Sequence, residues 1–138
     1  MDKRLAEGLG LVRDFLPDVQ AVYLFGSFAQ GDERSESDID IALLLSHARA
    51  KALGTLYGSE LHQALTQRFK RDVDLINLRQ VSTVFQNQIV STGTLVYSAD
   101  EVARQTFEMY TLSFYQKLNE ERAEILEALY RTGEAYRI

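Results

Sequence analysis

The stretch Val22–Leu45 most strongly constrains what this chain can fold into. It holds an apolar run, a Gly26-Ser27 turn, a polar loop, and a second apolar run that begins with Asp38 and Asp40. Side chains two positions apart on a strand point to the same face, so we expect both carboxylates on one side of the strand. Two like charges at the end of an apolar strand repel each other and resist burial, and a divalent cation between them removes that cost.

Magnesium fits this pair of carboxylates. Mg²⁺ prefers oxygen ligands and commonly binds through one or two carboxylates together with the phosphates of a substrate. Gly26 allows a phosphate to approach the backbone closely, while Ser27 and the amides of its turn can donate hydrogen bonds to that phosphate. The stretch therefore predicts a site for a metal-bound nucleotide, with Asp38 and Asp40 on the metal.

The rest of the chain predicts an α/β (α+β) fold. Apolar runs predict strands at 19–25, 38–45, 72–77 and 94–97, and helical periodicity predicts a first helix that ends before Pro17. Further helices are expected over 48–69, where two glycines can divide the helix, and after Ser82. We expect a small twisted mixed sheet of about four strands flanked by helices, with the first two strands antiparallel.

Length favours a single domain over residues 1–138, with a catalytic core at 1–99 and a helical C-terminal tail at 100–138. The tail is rich in aromatic residues from Phe107 onward and is apolar on more than one face. Two interpretations remain open for the second apolar face: it crowds against the sheet, or it contacts a partner protein or a second copy of the chain.

Composition excludes several functional classes. The chain has no cysteine, which excludes disulfides, thiolate metal sites and cysteine nucleophiles, and its two histidines, His47 and His62, are expected at the surface and are a poor basis for zinc. A net charge of -5 argues against binding a long nucleic acid through its phosphates. No apolar run approaches the roughly 20 residues of a membrane-spanning helix, and we expect a cytoplasmic protein.

A third carboxylate is available on a later predicted strand. Asp72 begins that strand, where an acid usually faces water, whereas Asp74 lies between two apolar residues and needs a reason to be there. A two-metal phosphoryl-transfer site uses three carboxylates to hold the ions and to accept a proton from the attacking hydroxyl. We therefore assign Asp38 and Asp40 to the metals, and Asp74 as the third ligand or the base.

These residues carry a family resemblance. Gly-Ser, ten residues and Asp-x-Asp, followed by Asp-Val-Asp-Leu-Ile, resemble the signature of the polymerase-β-like nucleotidyltransferase superfamily. The short chain is similar to the minimal nucleotidyltransferases (MNT) that serve as antitoxins beside HEPN-domain ribonuclease toxins. The resemblance implies a polymerase-β-like fold, Mg²⁺ as cofactor, in two ions, and transfer of AMP from ATP to a tyrosine of the toxin. It also implies that Gly26 and Ser27 bind the triphosphate and that Asp38, Asp40 and Asp74 form the catalytic metal triad.

Two alternatives to protein adenylylation remain. The chain can act as a non-catalytic antitoxin that neutralises its toxin by complex formation through the aromatic tail. It can also transfer a nucleotide to a small molecule, although enzymes of that kind usually carry an additional substrate-binding domain.

Overall fold

The computed structural model describes residues 3–26 and 38–132. Within these ranges the elements, in chain order, are α1 (Lys3–Phe15), β1 (Ala21–Phe25), β2 (Ile39–Leu44), α2 (His47–Leu53), α3 (Glu60–Phe69), β3 (Val73–Asn77), a 3₁₀ turn (Leu78–Gln80), α4 (Thr83–Thr92), β4 (Thr94–Ser98) and α5 (Glu101–Thr132). Each predicted strand is present, with ends that shift by one or two residues. The predicted phosphate contact of Ser27 lies outside the described residues.

The four strands form one mixed sheet in the order β3-β2-β1-β4. Strand β1 is antiparallel to both β2 and β4, which confirms the expected antiparallel pairing of the first two strands. Strands β2 and β3 are parallel, so both begin at the same edge of the sheet. That shared edge is where the predicted acidic residues occur in the sequence.

Serine and aspartate caps begin the helices around this sheet. The side chains of Ser46, Ser59 and Ser82 each accept a hydrogen bond from a backbone amide of the following helix, which satisfies one of the unpaired N–H groups of the first turn. Asp100 does the same for α5 through the amide of Ala103 at 3.0 Å. The predicted helix over 48–69 is divided into α2 and α3 between Gly54 and Gly58, as the sequence indicated.

Two apolar layers hold the sheet, one on each face. Helices α1 and α3 cover one face through a cluster that includes Val12, Leu43 and Leu65. The other face packs against α4 and α5 through a smaller cluster that includes Ile89 and Phe107. Strand β2 is buried on both faces after its first two residues, so it is the central element of the core.

A buried amide joins α2 to the end of β3. Asn77 is 4% exposed, and its Nδ2 donates to the carbonyl oxygens of Ala50 at 2.9 Å and Gly54 at 2.8 Å. The Ala50 carbonyl also accepts from the amide of Gly54 at 3.0 Å, whereas the Gly54 carbonyl lies past the last turn of α2, where a helix provides no further donor. The side chain therefore supplies the C-terminal cap of α2 from a different element.

Asn77→Ala is expected to lower the free energy of unfolding by about 2 kcal/mol, because the carbonyl groups of Ala50 and Gly54 each lose one hydrogen bond. Urea denaturation of the purified variant measures this change. Asn119→Ala, on the exposed surface of α5, is the matched control and is expected to change the free energy by less than about 0.5 kcal/mol. Equal midpoints for the two variants would contradict the capping role.

Helix α5 extends well beyond the sheet. Its 32 residues span about 48 Å, whereas its two buried residues, Phe107 and Thr111, both lie in its first third. Exposed apolar side chains continue along the rest of the described helix, among them Phe114 at 58% and Ile125 at 59%. Of the two interpretations of the aromatic tail, the structure therefore favours a helix with one packed face and one exposed apolar face.

Among the residues that the structure describes, no helix has the length and hydropathy needed to cross a membrane.

Candidate active site

The parallel pairing of β2 and β3 brings two of the predicted acids together. Asp40 on β2 lies directly opposite Asp74 on β3 in the register of the sheet, and Phe25 at the end of β1 lies opposite Asp40 on its other side. Directly paired residues of neighbouring strands present their side chains on the same face. Both carboxylates are therefore on the face that α4 and α5 cover, at the edge where β2 and β3 begin.

The two carboxyl groups are close enough to share a proton. Desolvation, a hydrogen bond with Asp74, and the negative charges of Asp74 and Asp38 together raise the pKa of Asp40 to about 6. Every neighbouring group that acts on this carboxyl among the described residues is itself an acid. Asp40 therefore lies among negative charges, and no described arginine or lysine is among the groups that shift its pKa.

Gly26 closes over the carboxylate of Asp40. Its φ is +74°, a conformation that residues with a side chain rarely adopt, and a Cβ placed on it would lie 2.0 Å from Oδ2 of Asp40. Glycine is thus required here for two reasons, the backbone conformation and the space that the carboxylate occupies. The first residue of the predicted phosphate turn is in direct contact with the central acid.

Asp38 lies immediately before β2. It is exposed and precedes β2, which starts at Ile39, so the structure does not place it in the strand alternation that the sequence predicted. The amide of Ile39 donates to the carbonyl of Asp72 at 3.0 Å, which fixes the chain immediately after Asp38 against the start of β3. Asp38 acts on Asp40 through its charge.

The carboxylate oxygens of this site are the kind of ligand that Mg²⁺ prefers. Oxygen ligands, clustered negative charge and a neighbouring glycine backbone are the features of a site that binds Mg²⁺ together with phosphates. Within the described residues, no three carboxylate or histidine side chains cluster closely enough to hold one metal ion together. Two adjacent protein carboxylates suit Mg²⁺, because this ion usually keeps several waters and takes substrate oxygens as further ligands.

An aromatic pair forms a wall beside the acids. The ring of Phe25 meets that of Phe85, near the start of α4, edge-to-face with 5.6 Å between ring centroids. Because Phe25 is also the partner of Asp40 across the sheet, this wall lies next to the carboxylates. The acids therefore have an apolar neighbour on this side.

The structure thus brings Gly26, Asp40 and Asp74 together, places Asp38 nearby, and leaves Ser27 outside the described residues. Sequence reasoning missed Phe85 as a neighbour of the site. An aromatic residue in a short helix carries no signal that it will face the end of β1, since that contact depends on how α4 packs.

The sequence matches a known protein family and a named relative. Residues 12–102 match the family model for polymerase beta, nucleotidyltransferase. The chain is 39% identical over 117 residues to the protein adenylyltransferase MntA of Shewanella oneidensis, and the match covers 85% of this chain and 81% of MntA.

Solved structures give the same likeness over nearly the whole chain. A crystal structure of a toxin–antitoxin with AMP-PNP matches with a TM-score of 0.72 and 35% identity, covering 94% of this chain and 99% of the other. A structure of the tri-AMPylated Shewanella oneidensis HEPN toxin in complex with MNT antitoxin matches with a TM-score of 0.67 and 33% identity, covering 92% and 96%. The polymerase-β-like fold predicted from the motif is confirmed.

Proposed function

Because this chain belongs to the polymerase-β nucleotidyltransferase family, we propose that it is an antitoxin that transfers AMP from ATP to a tyrosine of a cognate HEPN-domain toxin. The observation that carries this proposal is the contact of Gly26 with Asp40, itself paired with Asp74. The similar MntA is named a protein adenylyltransferase, and the HEPN toxin in a similar complex carries AMP. Adenylylation inactivates the toxin.

Asp38, Asp40 and Asp74 would hold Mg²⁺, as two ions. The bound metal supplies positive charge that offsets the developing negative charge on the triphosphate. Asp40 is held between Gly26 and Asp74, so its oxygens are fixed for this task. Gly26 exposes its backbone to the phosphates, and Ser27 would donate a hydrogen bond to them.

The transfer itself needs one proton acceptor. The tyrosine oxygen of the toxin attacks the α-phosphorus of ATP, the bond from phosphorus to the bridging oxygen breaks, and pyrophosphate leaves with that electron pair. Asp74 is exposed at the start of β3 and accepts the tyrosine proton, because an exposed carboxylate can reach a group from a second protein. We propose the cytoplasm as the compartment of the reaction.

Incubation of the chain with its cognate toxin, Mg²⁺ and ATP labelled in the α-phosphate is expected to transfer label to the toxin. EDTA in excess of Mg²⁺ should abolish transfer, since the ATP phosphates and the carboxylates would then repel each other. Replacing the acceptor tyrosine of the toxin by phenylalanine should remove the label at that position, which peptide mass spectrometry locates.

Asp74→Asn and Asp72→Asn form a matched pair for the same assay. Both acids are exposed and lie two positions apart at the start of β3, but only Asp74 is opposite Asp40. Asp74→Asn is expected to lower the transfer rate by about a hundredfold or more, and Asp72→Asn by less than about threefold. Equal loss in both variants would contradict the role assigned to Asp74.

The exposed apolar face of α5 favours a second candidate function, neutralisation of the toxin by binding alone. Toward the end of α5, Ile125 and Leu126 are more than half exposed, and Tyr130 is 89% exposed. Exposed aromatic residues such as Tyr130 are enriched in protein interfaces. An antitoxin that acts by binding would not need its carboxylates, which separates the two functions by experiment.

A further inference from the structure

A cavity lies on the same face of the sheet as the acids but at the opposite end. It has a volume of about 480 Å³, within the range of pockets that bind small molecules. Its walls come from the start of α2, the 3₁₀ turn after β3, and the helices α4 and α5. The lining side chains that matter below are His47, Arg79, Gln86, Phe107, Tyr110 and Phe114.

This cavity is distinct from the candidate active site. Asp40 lies near the beginning of β2, whereas His47 follows the end of that strand. At about 3.3 Å per residue, the strand from Asp40 to Leu45 spans about 17 Å. A nucleotide bound at the acids and a ligand bound in the cavity would therefore occupy separate places.

Arg79 gives the cavity a fixed positive charge. Its Nε donates to the carbonyl of Leu45 at 2.5 Å, one terminal nitrogen lies 3.1 Å from Nε2 of His47, and the other donates to Gln20 at 3.3 Å. The guanidinium also lies over the ring of Phe107, 5.3 Å from its centroid. Because a guanidinium only donates, Nε2 of His47 must be the acceptor in their contact. The contacts hold the guanidinium in one orientation.

The charge of Arg79 has no acidic partner among the described residues. Its hydrogen bonds all go to neutral groups, and burial alone lowers the pKa of the guanidinium, with no carboxylate acting against that shift. A guanidinium has five N–H groups, and the contacts above use three. One N–H on each terminal nitrogen is left to donate to an anion, and phosphate oxygens are common acceptors for arginine.

The opposite part of the cavity offers flat aromatic surface. Tyr110 and Phe114 are stacked one turn apart on α5, with 21° between ring planes, and they are 54% and 58% exposed. Nucleotide bases stack readily on such rings. Gln86 donates from Nε2 to the carbonyl of Leu78 at 2.9 Å, which orients its amide and leaves the side-chain oxygen to accept from a base amino group.

We propose that this cavity is a second, non-catalytic nucleotide site that binds a nucleoside monophosphate, with the phosphate on Arg79 and the base against Tyr110 and Phe114. The phosphate supplies the missing anion, and the base covers exposed aromatic surface. The proposal does not depend on adenylyl transfer, since binding needs neither the toxin nor Mg²⁺.

Calorimetric titration of the chain with AMP in EDTA tests this proposal, on an Asp40→Asn background that weakens nucleotide binding at the acids. AMP is expected to bind with a dissociation constant below about 1 mM. Arg79→Gln should weaken binding about tenfold or more, because a charge-assisted contact to phosphate is lost. Arg13→Gln is the matched control: Arg13 lies 5.2 Å from the ring centroid of Tyr97, a similar contact outside the cavity, and its loss should leave AMP binding unchanged.

A second variant is needed because Arg79→Gln could misfold, since Arg79 also donates to the backbone carbonyl of Leu45. Phe114→Ala removes an exposed ring and is expected to weaken AMP binding about fivefold or more. Adenosine and inorganic phosphate, titrated separately, should each bind more weakly than AMP. The proposal is overturned if millimolar AMP gives no binding heat, if Phe114→Ala and Arg79→Gln bind like the unmodified protein, or if inorganic phosphate binds as tightly as AMP.

Discussion

Asp40→Asn is expected to eliminate adenylyl transfer and, at the same time, to stabilise the folded protein. Transfer should fall by about three orders of magnitude or more, because the substitution removes the carboxylate that Gly26 and Asp74 hold in place at the proposed metal site. An amide of nearly the same size cannot replace the negative charge that the metal needs. The loss should appear in the rate of label transfer to the toxin.

The gain in stability follows from the raised pKa of Asp40. The folded-state pKa is about 6, against an ordinary value of 3.8, so the folded protein holds this proton more tightly than the unfolded chain does. Ionising the group therefore costs stability as the pH rises, a penalty absent below about pH 4 and complete above about pH 6. Since the side chain is only partly buried, solvent screening reduces the penalty to on the order of 1 kcal/mol.

Thermal denaturation in EDTA measures this effect. The melting temperature of Asp40→Asn should exceed that of the unmodified protein at pH 7, and the two should converge near pH 4, where the carboxyl is protonated in both folded and unfolded states. A gap of the same size at both values would contradict the assigned cause.

Protection of cells that carry the toxin distinguishes neutralisation by catalysis from neutralisation by binding. If adenylylation neutralises the toxin, Asp40→Asn should fail to protect cells even though the variant is folded and more stable. Protection equal to that of the unmodified chain would favour neutralisation by complex formation through α5.

Gly26→Ala is expected to reduce transfer about a hundredfold although the substitution neither adds nor removes a charged group. The new Cβ would lie 2.0 Å from Oδ2 of Asp40, so either the carboxylate or the turn must move. A displacement of about 1 Å at a catalytic group costs roughly a hundredfold in rate. The unfavourable φ and this contact together should lower the free energy of unfolding by about 2 kcal/mol.

Gly58→Ala distinguishes backbone strain at a positive φ from contact with Asp40 as the cause of the lost activity. Gly58 also has a positive φ, +81°, but a Cβ there would meet no atom within 4 Å. This control should lose about 1 kcal/mol of stability and retain its transfer rate. If Gly58→Ala lost activity as fully as Gly26→Ala, backbone strain rather than contact with Asp40 would be the cause.

Local signals in the sequence predicted most of the fold. The apolar runs identified the strands, and Ser46 and Ser82 correctly indicated the starts of two helices, since a cap acts on the turn beside it. Asp38 was placed inside the second strand, which instead begins at Ile39. His62 was expected at the surface, yet it is half-buried and its Nε2 lies 2.8 Å from the carbonyl of Val73, a contact that requires α3 to pack beside β3.

The candidate site was likewise predicted only in part, and the cavity at Arg79 was not predicted. Asp40 and Asp74 could be chosen from sequence because each is a charge within an apolar run, and parallel strands place such residues at one edge. The contact between Gly26 and Asp40 could not be foreseen, because it depends on how β1 ends over β2. Arg79 and His47 are separated by 32 residues and meet only after β2 and β3 are paired.

The long helix has a consequence for folding cooperativity. Beyond Thr111, the last buried residue of α5, some 31 Å of helix has no core to hold it, and helices in water are only marginally stable without packing. Amide hydrogens there should exchange with solvent through local opening, far faster than those near Phe107, which require the sheet to open. A protein that binds the exposed face must therefore provide the free energy that keeps this segment helical. Slower amide exchange along the segment would show that such a protein has bound.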